Sequence, residues 1–110
     1  MLKTREQITT WLNKYDIRNY DIAEDLTISV IGDVFLSDIN SMSLPVKFGI
    51  VSGVFYCNDN QLTSLLGCPE SVGCGFSCGA NKLTNLLSCL EGCPEVGGDF
   101  DCDSLSLIQI

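Results

Sequence analysis

The chain has 110 residues, 45% of them apolar, and carries a formal net charge of −8 at pH 7. This length allows one small domain, residues 1–110, and the apolar content excludes wholesale disorder. No apolar run approaches the roughly 20 residues of a membrane span, and the N-terminus lacks the apolar core of a secretory signal. We therefore expect a cytoplasmic protein that does not enter a membrane.

The acidic charge is concentrated in the second half of the chain. Residues 56–110 contain seven acidic residues and one basic residue, Lys82. Such a half repels nucleic-acid phosphates and anionic lipid headgroups, so direct binding to nucleic acid or membrane is not expected. The charge suits a protein partner with a basic patch, or it only keeps the protein soluble.

The seven cysteines and the absence of histidine limit the chemistry. An odd number of cysteines without a secretory signal predicts reduced thiols rather than a disulfide framework. The missing histidine removes the commonest general base and a common zinc ligand. The sequence therefore predicts a protein that is not an enzyme and has no cofactor.

Residues 4–15 are predicted to form an amphipathic helix. Apolar residues recur at i, i+3, i+4 and i+7, at Ile8, Trp11, Leu12 and Tyr15. Thr4 and Gln7 fit a capping box, in which each side chain bonds the backbone N–H of the other residue. The polar face is not basic enough for a membrane surface, so we interpret the helix as the cap of a core.

Residues 16–25 are polar and are expected to form a connection, which completes a helical cap over 1–25. Residues 26–30, Leu-Thr-Ile-Ser-Val, alternate strictly and predict a strand with one buried face. From there to residue 110 the chain is repetitive, so we divide the domain into a cap over 1–25 and repeats over 26–110.

The repeat is marked by an aromatic residue that follows a glycine turn. The markers are Phe35, Phe55, Phe76 and Phe100, and they recur at intervals of about 20 residues, the last interval being slightly longer. Asparagine stands five positions after the first three markers, at Asn40, Asn60 and Asn81. An asparagine at a fixed turn can bond the backbone of the adjacent repeat with its amide. Proline then begins each return leg, at Pro45, Pro69 and Pro94.

Each repeat of about 20 residues is expected to contribute one short strand with the alternating pair Phe-x-Cys. Stacking would place equivalent strands side by side in a parallel sheet. In the first repeat two registers are open, with either Val34 and Leu36 or Phe35 and Ser37 facing inward. We favour Val34 and Leu36, which make the better buried pair.

The run Phe-x-Cys-x-x-Asn-x-Leu-Thr-x-Leu, beginning at Phe55 and at Phe76, resembles the short bacterial leucine-rich repeat. The chain also resembles small leucine-rich-repeat-like proteins of phages and prophages. The residues that carry this resemblance are Trp11–Tyr15, Asp25–Thr27, Gly32–Val34 and Pro45–Gly49. It implies an α+β, β-rich fold, namely a leucine-rich-repeat-like solenoid of short parallel strands with an N-terminal capping helix.

Two clusters could be interpreted as metal sites. Cys74-x3-Cys78 and Cys89-x3-Cys93 could be drawn as zinc ligands, but zinc sites usually use tighter spacings. The repeat instead places Cys57, Cys78 and Cys102 at one position of successive strands, as small buried hydrophobic residues. Asp99, Asp101 and Asp103 could hold a hard cation, or they form a solvated acidic edge. We assign no metal ligand.

Function is expected on the outward side of the strands. The candidate partner-binding residues are Tyr56, Asn58, Ser77, Asp99, Asp101 and Asp103. We expect a non-enzymatic protein–protein interaction module, and the resemblance implies a phage-type accessory protein that blocks a host protein such as a defence component. Its location would then be the host cell cytoplasm.

Two alternatives stay open. An acidic half could mimic nucleic acid and occupy a DNA-binding groove. The chain could also self-assemble, as a homodimer, through an apolar C-terminal end that lacks the polar cap of a solenoid. The residues of that end are Leu105, Leu107, Ile108 and Ile110.

Overall fold

One helix and nine strands occur in the part of the chain that the computed structural model describes, residues 1–83, 95–98 and 100–101. The helix α1 spans Arg5–Lys14. The strands are β1 Tyr20–Ile22, β2 Thr27–Val30, β3 Val34–Phe35, β4 Lys47–Val51, β5 Val54–Tyr56, β6 Ser71–Val72, β7 Gly75–Ser77, β8 Glu95–Val96 and β9 Phe100–Asp101.

The strands form two sheets. The five-stranded sheet has the order β1-β2-β4-β6-β8, with β1 antiparallel to β2 and the other neighbours parallel. The four-stranded sheet, β3-β5-β7-β9, is parallel throughout. The radius of gyration is 13.2 Å, which is the value of roughly 13 Å expected for a compact domain of about 100 residues.

The prediction of a leucine-rich-repeat-like solenoid is wrong. The structure is a small α+β fold with one described helix, one mixed sheet and one parallel sheet, and no solenoid is detected in it. The prediction assigned one strand to each repeat and took the segment after each proline as a return leg. That segment is itself a strand, as in β4 after Pro45 and β6 after Pro69, so each repeat supplies both sheets.

The helix lies where the sequence predicted it. Thr4 is the N-cap, and its side chain accepts a hydrogen bond from the backbone N–H of Gln7. The reciprocal half of the predicted capping box is shifted by one residue, because Gln7 Oε1 accepts from the N–H of Lys3 at 2.9 Å rather than from that of Thr4. Ile8 and Leu12 are buried, whereas Trp11 and Tyr15 are half-buried.

Residues 16–25 are not only a connection. They contain β1, in which Tyr20 pairs with Val30 and Ile22 with Ile28. The strand continues the sheet beyond β2 as an antiparallel neighbour, an arrangement that polar, mixed residues did not indicate. Where the chain turns into β2, Asp25 Oδ1 accepts the N–H of Thr27 at 3.0 Å. This hydrogen bond holds the pKa of Asp25 below its usual value.

The core lies between the two sheets. The five-stranded sheet contributes Ile28, Val30, Phe48, Val51 and Val72, and the four-stranded sheet contributes Val34, Phe55 and Phe76. The ring of Phe55 contacts Phe48 edge-on at a centroid distance of 5.1 Å and stacks on Phe76 at 5.9 Å. One aromatic side chain therefore links the two sheets and two consecutive repeats.

The favoured register of the first repeat is confirmed. Val34 and Leu36 are fully buried, and Phe35 is 58% exposed. Val34 pairs with Phe55, and Phe55 with Phe76, so these three residues are equivalent positions in consecutive repeats. The marker of the first repeat is therefore Val34, and the assignment of Phe35 as a marker is wrong.

Two asparagines join consecutive repeats, as predicted. Asn60 Oδ1 accepts hydrogen bonds from the N–H groups of Ile39 and Ser41, one repeat earlier, at 3.0 Å each. Asn81 Oδ1 accepts from Leu62 N–H at 2.9 Å in the same way. Asn40 does not belong to this set, because the offset that pairs Val34 with Phe55 makes Ile39 the equivalent of Asn60. Asn40 is exposed and its side chain accepts from Gln61.

The glycine turn at Gly73 requires the absence of a side chain, whereas the turn at Gly32 requires a positive φ of 128°. A Cβ added at Gly73 would overlap the carbonyl oxygen of Ser52 in the preceding repeat. Gly73 N–H meanwhile donates to Val51 O at 2.8 Å. Successive repeats are thus held too close together at this turn for any other residue.

Residues in the left-handed region recur after the strands of the four-stranded sheet. Asp38, Asp59 and Ala80 have φ of 54°, 57° and 52°, and they occupy equivalent positions in consecutive repeats. Aspartate and asparagine tolerate this conformation through local side-chain hydrogen bonds, whereas for alanine it costs roughly 1–2 kcal/mol. Ala80 is also exposed, so a larger polar side chain has room there.

We expect Ala80→Asn to raise the free energy of unfolding by about 1 kcal/mol, because asparagine relieves this backbone strain. Urea unfolding followed by circular dichroism measures the change. Ala23→Asn is the control, since Ala23 is exposed as well and does not have a positive φ. Equal midpoints for Ala80→Asn and the unmodified chain would contradict the strain argument.

Candidate functional site

The outward side chains of the four-stranded sheet form a row across its strands. Phe35 pairs with Tyr56, Tyr56 with Ser77, and Ser77 with Asp101. Because neighbouring strands of a sheet lie about 4.8 Å apart, side chains in such a row contact each other. We call Phe35, Tyr56 and Ser77 the outer face.

Aromatic surface is exposed on this face. Phe35 is 58% exposed and Tyr56 is 36% exposed. Their rings meet edge-on, with centroids 5.7 Å apart. The alternation of the strands causes this exposure, since the neighbours Val34 and Phe55 take the buried side.

A groove of about 620 Å³ runs beside the aromatic pair. It is lined by Ser37, Val54, Tyr56, Asn58, Cys74, Gly75, Phe76 and Ser77. Three of the predicted partner-binding residues, Tyr56, Asn58 and Ser77, therefore lie together at one concave surface.

Side-chain hydrogen bonds orient Asn58 in the groove. Its Oδ1 accepts from Ser37 Oγ at 2.6 Å, and its Nδ2 donates to Asp59 Oδ2 at 2.6 Å. Ser37 belongs to the preceding repeat, so the amide is held from two sides. A side chain fixed in this way is prepared for a ligand at little further cost in conformational entropy.

No family model, no curated protein and no solved structure matches this chain. The resemblance to phage proteins therefore stays a prediction from the sequence.

Several predicted site residues lie wholly or partly outside the described residues. For Asp101 the backbone pairing with Ser77 is described. The residues wholly outside are Asp99 and Asp103 of the acidic strand, and Leu105, Leu107, Ile108 and Ile110 of the apolar C-terminal end. The cation-binding and self-association hypotheses that use them remain predictions.

The sequence did not indicate Phe35, Val54 and Cys74 as members of the site, whereas Ser37 lies on the outward side in the favoured register of the first repeat. For Phe35 a signal was present, because its distance along the chain to Tyr56 equals the distance from Tyr56 to Ser77. Cys74 was considered only as a zinc ligand. Its position in the turn before β7 brings it to the groove.

The cysteines differ from one another in state. Cys57 and Cys74 are free thiols, the first buried and the second exposed. Cys78 is buried as well. The inward place that the repeat assigned to Cys57 and Cys78 is confirmed, since both are fully buried.

The described residues contain no group of three or more cysteine, aspartate or glutamate side chains that could hold a metal ion. In the same part of the chain, no helix is long and apolar enough to cross a membrane. The groove offers a phenol, two hydroxyls, an amide and a thiol. These groups suit binding through hydrogen bonds and aromatic contact.

The opposite sheet provides a comparison surface. Ile31, which directly follows β2, and Ile50 of β4 are 77% and 58% exposed. Both border a second groove of about 500 Å³. This groove is lined by Asn19, Tyr20, Asp21, Ser29, Val30, Ile31, Ile50 and Ser52. The exposed apolar side chains there are isoleucines, whereas the outer face combines aromatic rings with a fixed amide.

Proposed function

We propose that this chain is a non-enzymatic protein-binding module that presents its outer face to a partner. The observation that carries the proposal is the contact between the exposed rings of Phe35 and Tyr56 beside a groove with an oriented amide. Tyrosine and other aromatic residues are enriched among the side chains that dominate binding energy at protein interfaces.

The position of these residues on strands supports the proposal. Phe35 and Tyr56 follow directly on Val34 and Phe55, which are fully buried. The backbone under the aromatic pair is therefore fixed by the core. A partner would not have to order a mobile loop, and little conformational entropy would be lost on binding.

The role of such a module, in this proposal, is to block a host protein, as expected of a phage-type accessory protein. This part rests on the resemblance of segments such as Trp11–Tyr15 and Gly32–Val34 to phage proteins. Nucleic-acid mimicry and self-assembly stay alternatives from the sequence.

The test is recovery of a partner by an affinity-tagged chain from a lysate of the cells in which it acts. We expect Phe35→Ala and Tyr56→Ala each to reduce the recovered partner about tenfold or more, as for interface residues worth more than about 1.4 kcal/mol. Quantitative mass spectrometry measures the loss.

The matched control is Ile50→Ala on the opposite sheet. Ile50 and Phe35 are both 58% exposed, so the two substitutions remove exposed apolar surface from different faces. Recovery that survives Phe35→Ala and Tyr56→Ala, or that fails equally with Ile50→Ala, would rule out the outer face as the binding surface.

A further inference from the structure

Two carboxylates accept hydrogen bonds from residues that line the groove. Asp33 Oδ1 accepts a hydrogen bond from the N–H of Val54, a groove residue, at 2.9 Å. Asp59 Oδ2 accepts from Nδ2 of Asn58, another groove residue, at 2.6 Å. Positions 54 and 58 are separated by about 13 Å along an extended chain. Between them lies the aromatic pair of Phe35 and Tyr56.

These carboxylates have no cationic partner among the described residues. The ion pairs found there join Arg18 to Asp16 and Lys47 to Glu70, and the groove lining includes neither lysine nor arginine. Asp33 and Asp59 are both exposed. The unpartnered sheet face is therefore aromatic at its centre and negative at its two ends.

We infer that the outer face receives an extended, arginine-bearing segment of the partner protein, an inference that rests on the proposed function. A guanidinium group can stack on an aromatic ring and can pair bidentately with a carboxylate. Lysine supplies a point charge and makes neither contact as well. The two carboxylates fit guanidinium groups, and the rings between them fit an apolar side chain of the same segment.

The negative charges also disfavour other occupants of the outer face. A second copy of this chain would bring the same carboxylates and another net charge of −8 to the contact, and the like charges would repel. A nucleic acid would bring phosphates, which the carboxylates repel as well. A basic protein segment is complementary to the face, and Val54 and Asn58, the groove residues that Asp33 and Asp59 bond, set the spacing of the probe's charges.

The spacing defines a probe. In an extended peptide, side chains at positions 1, 3 and 5 point to one side, and positions 1 and 5 lie about 13 Å apart. The peptide Arg-Ser-Leu-Ser-Arg, blocked at both ends, can place a guanidinium at each carboxylate and leucine on the aromatic pair. The matched peptide replaces both arginines with citrulline, which has nearly the same shape but no charge.

The experiment is a titration of the full-length, ¹⁵N-labelled chain with each peptide, followed by two-dimensional NMR. We expect the arginine peptide to shift backbone amides of residues 54–59 and 75–77 with a Kd below about 1 mM. The citrulline peptide should bind about fivefold or more weakly, since two exposed ion pairs, each of them weak, are lost.

The doubly substituted chain Asp33→Asn, Asp59→Asn should show the same weakening, about fivefold, toward the arginine peptide. Asparagine keeps an acceptor oxygen for Val54 N–H and for the Asn58 amide, and it tolerates the positive φ of residue 59. Asp21→Asn, an exposed carboxylate of the other sheet, is the control and should leave the Kd unchanged.

Absence of shifts at residues 54–59 up to about 5 mM peptide, or equal affinity for the citrulline peptide, would overturn the arginine assignment. Equal affinity of the doubly substituted chain would overturn it too. The proposed function would stand in each case if partner recovery still depended on Phe35 and Tyr56. Loss of that dependence would remove the proposed function whatever the peptides show.

Discussion

Asn60→Asp is expected to lower the free energy of unfolding by about 3 kcal/mol or more. The substitution replaces the NH2 group that donates to buried backbone carbonyls with a carboxylate oxygen that those carbonyls repel. Asn60 is 8% exposed and is the single polar residue in the buried part of the described chain. The substitution changes one atom type and almost no volume, so packing is preserved.

The effect follows from the two ends of the amide. Asn60 Oδ1 accepts from two backbone N–H groups, and a carboxylate can keep these contacts. Nδ2 donates to the carbonyl oxygens of Leu36 at 2.8 Å, Cys57 at 3.0 Å and Asn58 at 3.2 Å. A carboxylate oxygen in that place would face three acceptors with no proton to share. Each buried group left unsatisfied costs about 1–3 kcal/mol.

The loss should also depend on pH. Carbonyl oxygens around the introduced carboxyl raise its pKa in the folded state above that in the unfolded state. The destabilisation is therefore full above the folded-state pKa and shrinks as the pH falls through it, because the protonated form can donate again. Urea unfolding at pH 7 and at pH 4 to 5 measures both the size and the direction of the effect.

Asn40→Asp is the matched control for Asn60→Asp. Asn40 is exposed, and its Oδ1 accepts from Gln61 Nε2 at 2.7 Å, a contact that aspartate keeps. A change within about 0.5 kcal/mol is expected. A loss at Asn60 no larger than that at Asn40 would mean that the amide does not join the repeats in solution.

The features that depend on local, repeated signals could be predicted from the sequence. The cap at Thr4, the alternation of Ile28 and Val30, and the bonding of Asn60 and Asn81 to the preceding repeat all follow from residue type at a fixed spacing. Each of these residues carries out its role with neighbours in sequence or in the adjacent repeat. For that reason a single chain was enough to predict them.

Apart from β2, the strands of the five-stranded sheet were missed because their sequence patterns are weak. In β4 the alternation is broken at Gly49, where Phe48, Gly49 and Val51 are all buried and the pairing with β2 shifts its register. The strand β6 has two residues, too few for any period to be visible. A sheet built from such strands is defined by its tertiary pairing, which the sequence does not display.

The outer face was predicted in part for a related reason. Tyr56, Asn58 and Ser77 follow from the alternation around Phe55 and Phe76, whose burial is clear. Phe35 was left out although the favoured register, with Val34 and Leu36 inward, already turned it outward. As the aromatic marker of the first repeat it was treated as the equivalent of Phe55, which is buried, and a shift of one residue exchanges the two faces of a strand.

Phe55→Ala and Tyr56→Ala are expected to differ widely in stability although the residues are adjacent. Phe55 is fully buried, and its ring contacts Phe48 of the other sheet and Phe76 of the next repeat. Its removal should cost about 3–5 kcal/mol, a large part of the roughly 5–15 kcal/mol that stabilises a small domain. Tyr56→Ala removes one ring contact at a 36% exposed residue and should cost about 1 kcal/mol.

Urea unfolding of the two variants shows which of the two side chains stabilises the core and which lies at the surface. If Tyr56→Ala proved as costly as Phe55→Ala, Tyr56 would be covered in solution, and the outer face would not be available to a partner. If Tyr56→Ala costs about 1 kcal/mol and abolishes partner recovery, the lost binding cannot be attributed to unfolding, because a domain with several kcal/mol in reserve stays folded. The stability of Tyr56→Ala thus decides whether its binding result reports on the interface.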